Sequence, residues 1–195
     1  MKYNVSEIMG IIKDRRNVAP EKFTDRVIHK EIIQNLLNAA IWAPTHGKTQ
    51  PWRFEVFMNQ GKEELKTIMS AAYKELTPED KFQEAKYKRI QERIDRSSAL
   101  IMVNMSRQEE EKIPEIEEIQ ATAIAIQNIN LLATAYGIAS FWSSPAFIYT
   151  KEFKKRVSLS EKDHCLGLLY LGYVNPRDWP KGQRKPIEYL TNWHE

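Results

Sequence analysis

Apolar residues recur along the chain with two periods, and the period changes predict the elements. Asn4 and Glu7 are spaced as a capping box, and Val5, Ile8, Met9 and Ile12 follow at helical intervals, so a first helix runs to about Asp14. From Lys30 the pairs Ile32/Ile33, Leu36/Leu37 and Ala40/Ile41 mark an amphipathic helix. It stops near Trp42, because a residue preceding proline is pushed toward extended geometry and the Pro44 ring cannot continue a helix. A polar loop over 43–51 follows. Trp52, Phe54 and Val56 then alternate with Arg53, Glu55 and Phe57, which is a strand. Gly61 opens another helix with Leu65, Ile68, Met69 and Ala72 on one face, and Thr77-Pro78-Glu79 reads as the cap of a mixed-charge helix over 78–96. That helix is either solvated and laced with pairs such as Glu84 and Lys88, or a cover over a pocket with Phe82 and Tyr87, or Tyr73 and Leu76, facing inward.

Residues 99–105, continuously apolar, predict a fully buried central strand. The stretch 116–136 is a long core helix, nearly all apolar beyond Ala121, and Gly137 suits the position after its end. Its polar stripe of Gln120, Gln127, Asn130 and Thr134 must find partners, either in the core or across a subunit interface. Residues 139–147 and 165–173 read as further strands, Gly167 and Gly172 permitting close backbone approach in the second. Prolines 176, 180 and 186 break the remainder.

A chain of 195 residues with 42% apolar content is expected to form one domain with a sizeable core. Its net charge of +3, from 29 basic and 26 acidic residues, demands no nucleic acid. The one cysteine, Cys165, excludes an internal disulfide and a multi-cysteine metal site. No segment has the apolar length of a membrane span and the start lacks a cleavage-like signal, so a soluble, cytoplasmic protein is expected. His29, His46, His164 and His194 are scattered without metal-ligand spacing, and neither GxGxxG nor GxxxxGK occurs.

Three polar segments could carry chemistry. Arg15-Arg16-Asn17 ends an amphipathic helix and is either a solvated basic end or an anion clamp, since guanidinium groups hold phosphate through several directed hydrogen bonds. Trp142-Ser143-Ser144 precedes Pro145 and reads also as the start of a simple turn. Arg184 and Lys185 read equally as surface charge.

Ala43-Pro44-Thr45-His46 followed by Gln50-Pro51-Trp52-Arg53-Phe54 resembles the signature loop of the FMN-dependent nitroreductase family, in its compact single-domain branch, and from about residue 8 onward the other motifs follow in the family order. The resemblance implies an α+β fold with a central, mostly antiparallel sheet packed with helices, and a homodimer with flavin at the interface. By the same resemblance Arg15, Arg16, Asn17 and Arg184, with Lys185 as second candidate, hold the FMN phosphate, and Gln50, Trp142, Ser143 and Ser144 hold the ribityl chain and ring. Trp42 and His46 reach the flavin from the partner, and the segment 174–195 extends to the partner subunit or the phosphate. NAD(P)H lies near Leu132, Ala133, Thr134, Ala135, Tyr136 and Gly137, and gives hydride to flavin N5 before a nitroaromatic, quinone or similar acceptor enters, so no protein residue is called catalytic. Asn17 stands where the family usually has serine, and Trp42 where relatives can carry arginine. The competing expectations are an FMN storage or sensing module, a cofactor-free interaction protein, and a specialised reductase, dehalogenase or dehydrogenase within the family.

Overall fold

A computed structural model describes residues 2–195. Its elements in chain order are α1 (Val5–Asp14), α2 (Lys30–Ala40), β1 (Trp52–Met58), α3 (Gly61–Leu76), α4 (Glu84–Arg96), β2 (Ala99–Met105), α5 (Glu115–Ala135), β3 (Ile138–Ser143), α6 (Lys151–Arg156) and β4 (His164–Tyr173). The strands form one sheet in the order β1-β2-β4-β3, with every neighbouring pair antiparallel. The fold is therefore α+β.

Helices cover both faces of the sheet, which is why β2 and β4 are continuous apolar runs without alternation. On one face Ile101, Val103, Leu169 and Leu171 pack with Ile33 and Leu36 of α2 and Ile126 and Ile129 of α5. On the other, Leu100, Met102 and Leu168 pack with Leu65 and Met69 of α3, Ile94 of α4 and Phe153 of α6. Asn4 caps α1 as its spacing predicts, its side chain accepting from the Ser6 and Glu7 amides at 3.0 and 3.4 Å. Gly137 follows α5 at φ +67.

Three expectations need correction. Pro78 does not open one long helix, because Phe82 and Gln83 are extended: the Phe82 ring packs 5.4 Å from that of Tyr73, and the Gln83 amide donates to the Tyr73 hydroxyl at 3.0 Å. The helix restarts at Glu84, and Phe82 and Tyr87, both half-buried, pack against the core. The strand begun at Ile138 stops at Ser143, since Pro145 leads into a short 3₁₀ turn over Ala146–Tyr149. Helix α5 buries one face only, leaving Ile116, Gln120, Ile124 and Gln127 exposed. Of the polar stripe, Thr134 bonds back to the Asn130 carbonyl at 2.8 Å, and the buried Asn130 Oδ1 has no partner.

The strap between α1 and α2 runs along the β3 and β4 side of the sheet. Val18 donates to the Ser140 carbonyl at 2.8 Å and Thr24 to the Tyr173 carbonyl at 2.7 Å, while the Phe23 ring lies so close on Gly172 that a Cβ there would overlap it. At the far end of the sheet, Arg107 and Glu118 form a buried ion pair beneath the first turns of α5. Asp163 fixes that corner, accepting from the Arg107 amide at 2.8 Å and the Ser160 amide at 3.1 Å.

Gly172→Ala is expected to lower stability by about 1–3 kcal/mol, because Phe23 must move to admit the methyl group; urea unfolding midpoints measure it. For Asp163, burial alone raises the carboxyl pKa, but hydrogen bonds from Arg107 and Ser160 outweigh it and leave the pKa below the ordinary aspartate value. Its contribution is thus present above that ordinary value and lost as pH falls through the lowered one. Asp163→Asn should lower the melting temperature at pH 7, and the gap to the wild type should close on acidification below about pH 4. A gap of constant size would contradict the assignment.

Candidate functional site

The end of α1 opens onto the β3 edge of the sheet. Arg15 leaves the helix in extended geometry, and Asn17 then runs beside Ser140 of β3 as a parallel bridge. The Trp142 amide donates to Asn17 Oδ1 at 2.9 Å, so an amide side chain joins two segments 125 residues apart. Arg16 folds back to donate to the carbonyls of Lys13 and Arg15, and its guanidinium lies flat against Gly182. Trp179 Nε1 donates to the Asp14 carbonyl at 2.8 Å, fixing the C-terminal segment against the last turn of α1.

This arrangement gathers positive charge. Arg15 is half-buried, and its pKa is depressed first by that burial and then by the neighbouring Arg184 and Arg16 cations. Among the described residues, none of Arg15, Arg16 and Arg184 forms an ion pair, and the buried Arg16 Nε has no hydrogen-bond partner. Like charges held together with an unsatisfied donor form a receptor for an anion, and the directed N–H groups suit phosphate. A phosphate such as that of FMN is an anion of this kind. Lys185 is exposed and no contact draws it into the cluster.

Beside the cluster the β3 end is tightly built. Trp142 Nε1 donates to the Leu166 carbonyl at 3.0 Å, and Gly167, at φ +128, passes so near that a Cβ would sit 2.5 Å from the Ser143 carbonyl oxygen. Only glycine fits that backbone and that approach. Ser143 is half-buried and Ser144 exposed at the exit.

Loop 43–51 forms a second polar face. Its 3₁₀ turn His46–Lys48 contains Gly47 at φ +60, and Lys48 and Gln50 also have positive φ, +57 and +45. Non-glycine residues in that region cost about 1 kcal/mol or more each, a strain typical of segments shaped for a ligand. Thr45 Oγ1 holds the loop by accepting from the Gln50 amide at 3.2 Å, and His46 Nδ1 lies 2.6 Å from Glu117 of α5. Trp42 is 84% exposed, and His46, Lys48 and Gln50 are exposed beside it.

One chain does not bring its two faces together. Loop 43–51 leads into edge strand β1, while Trp142 and Ser143 end the opposite edge strand β3. Three interstrand steps separate them, about 14 Å at the usual spacing. Residues 132–137 are also apart from Trp142, at the start of β3 rather than its end, about 13–17 Å away along the strand. Thr134 and Gly137 there border a cavity of about 480 Å³ with Asp14 and Trp179, next to the arginine cluster. Leu132 instead lines an apolar groove of about 300 Å³ between α1, α2 and α5.

Sequence reasoning missed three residues. Gly182 was legible only as a breaker, although it admits the Arg16 guanidinium. Glu117 and Trp179 carried no signal, since their partners lie in distant segments.

Among the described residues no group of histidine, cysteine, aspartate or glutamate could hold a metal, and no helix is long and apolar enough to cross a membrane. The chain is similar to the Bacillus subtilis protein YfhC, provisionally named as an NAD(P)H nitroreductase, at 29% identity over 93% of this chain and 91% of that one. The Escherichia coli protein YdjA, provisionally named the same way, is 28% identical over 73% of this chain and 75% of its own length. A crystal structure of a nitroreductase-like family protein from Bacillus cereus superposes with a TM-score of 0.81 at 27% identity, covering 100% of this chain and 98% of that one. A nitroreductase crystal structure from Desulfovibrio desulfuricans, in complex with FMN, shares the fold at TM-score 0.74 and 21% identity, over 100% of this chain and 99% of its own. The Nitroreductase family model matches residues 12–173, spanning the arginine pair, the polar loop and all four strands, and the chain belongs to that family.

Proposed function

We propose that this protein is an FMN-dependent NAD(P)H oxidoreductase of the nitroreductase type, active as a homodimer. The observation that carries the reading is the cluster of Arg15, Arg16 and Arg184, which lacks a counter-charge and has an unsatisfied buried Arg16 Nε. In this reading the guanidinium groups and Asn17 neutralise the FMN phosphate, while Trp142, Ser143 and Ser144 lie along the ribityl chain and ring. Bound flavin supplies the redox chemistry, accepting a hydride from the nicotinamide and passing electrons to a nitroaromatic, quinone or similar acceptor. Donor and acceptor use one face in turn, which is a ping-pong scheme. The resemblance gives the 132–137 segment to the donor, although within one chain it lies at the start of β3, away from Trp142 and Ser143.

Surfaces that one chain leaves uncovered support the dimer. Helix α1 has no buried residue, and its Val5, Ile8, Met9 and Ile12 face solvent with Ile124 of α5. Ile187, Tyr189, Leu190 and Trp193 of the tail are exposed too, Trp193 by 82%. An apolar surface of this extent marks an interaction site. A second copy would bring Trp42, His46 and Gln50 toward the flavin face of the first, completing the site from both chains. The segment 174–195 supplies Gly182 and Arg184 to the phosphate and its apolar end to the partner.

Purified protein should be yellow and should bleach on anaerobic addition of NADH or NADPH, with parallel initial-rate lines when the acceptor is varied; intersecting lines would exclude the ping-pong scheme. Arg184→Gln should weaken FMN binding by about tenfold or more, the worth of one charge-assisted hydrogen bond. The same change should raise the melting temperature of FMN-free protein at low salt, because it relieves repulsion on Arg15. Lower stability of the FMN-free variant would argue that Arg184 is structural.

A further inference from the structure

Between α4 and the exit of β3 lies a cavity of about 160 Å³ that the flavin residues do not account for, apart from Ser143. Lys86, Arg89 and Arg93 line it, spaced three and four residues apart and so on one face of α4. Ile90 and the ring of Tyr170, 4% exposed, give it apolar surface. No carboxylate lines it. Arg93 donates through Nε to Glu21 at 2.8 Å, and Glu21 feels Arg89 at longer range, so one acid serves two arginines. Lys86 and Arg89 form no ion pair among the described residues. Burial pushes the Tyr170 phenol up to about 12 against the pull of Arg93, so it remains a neutral donor.

The chemistry on this wall is selective. Exposed cations alone are solvated and weak, but cations on one helix face over an apolar, enclosed floor favour a planar ligand carrying an oxyanion. The volume is close to that of a cavity able to hold benzene, about 150 Å³. Ser143 belongs both to this wall and to the segment assigned to the flavin. We propose that the cavity formed by Lys86, Arg89, Arg93, Tyr170 and Ser143 receives a carboxylate on the electron acceptor, making small aromatic acids the preferred acceptors. The assignment deepens the oxidoreductase reading and rests on it for the word acceptor. The 2′-phosphate of NADPH offers the same oxyanion chemistry, and the test separates the two.

Binding of benzoate and of benzamide to the purified protein is measured by calorimetry at low and high salt, a readout independent of turnover. Benzoate should bind at least about tenfold more tightly, losing that advantage in Arg89→Gln and in Lys86→Gln, two exposed positions whose change leaves the core intact. In turnover, 4-nitrobenzoate should have a lower KM than methyl 4-nitrobenzoate. Arg89→Gln should erase the difference without altering the flavin absorbance per chain or the ratio of KM for NADPH and NADH. Equal binding of benzoate and benzamide, with both variants silent, would overturn the proposal. A variant that changes only the NADPH to NADH ratio would overturn it too, giving the cavity to the donor phosphate. A colourless protein that still binds benzoate through Arg89 would sink the flavin reading and leave the oxyanion site standing.

Discussion

Mutual repulsion among Arg15, Arg16 and Arg184 is the constraint around which this edge of the molecule is built. Burial of Arg15 disfavours its charge first, and the neighbouring Arg184 and Arg16 cations add to that. Among the described residues no carboxylate forms an ion pair with any of the three. A fold tolerates such a cluster only where surrounding contacts hold it in place, and here they are numerous. The Arg16 guanidinium is anchored by two backbone carbonyls on one side and laid on Gly182 on the other, while Trp179 ties the same C-terminal segment to Asp14.

The same strap that carries the arginines also closes the sheet. Val18 and Thr24 donate to β3 and β4, and Phe23 occupies the space left by the missing side chain of Gly172. Asn17 completes the coupling by accepting from the Trp142 amide. The residues proposed to bind the phosphate and to face the ring are thus tied together by backbone hydrogen bonds and the Asn17 side chain. A serine at position 17 would have a shorter reach to that amide, and the longer asparagine side chain spans the gap here.

What was legible in the sequence divides along physical lines. Local signals survived intact: the Asn4 cap, the stop before Pro44, the buried runs of β2 and β4 and the glycine after α5 depend on neighbours within a few residues. The helix over 78–96 misled because Thr77-Pro78-Glu79 opens only a 3₁₀ turn over Glu79–Lys81, without a side-chain cap bond, and the break at Phe82 comes with the Tyr73 ring in another helix. For the same reason the arginine pair could be suspected, but Gly182 could not, since a flat guanidinium on a glycine backbone is a tertiary fact. The exposure of α1 shows the converse limit. An amphipathic pattern says which face seeks burial and leaves open which chain supplies the cover.

That last point bears on why one chain falls short of a site. The two polar faces stand at opposite edges of a four-stranded sheet, and the sheet cannot fold to bring them together without breaking its register. Strained backbone at Lys48 and Gln50 would be a cost without return if loop 43–51 met only water. The uncovered apolar residues of α1, α5 and the tail would be a cost as well, through exposed surface. The homodimer we propose would relieve both: a second copy covering those helices would set each polar loop against the other chain's arginine edge, and two-fold symmetry would yield two complete sites from one kind of contact.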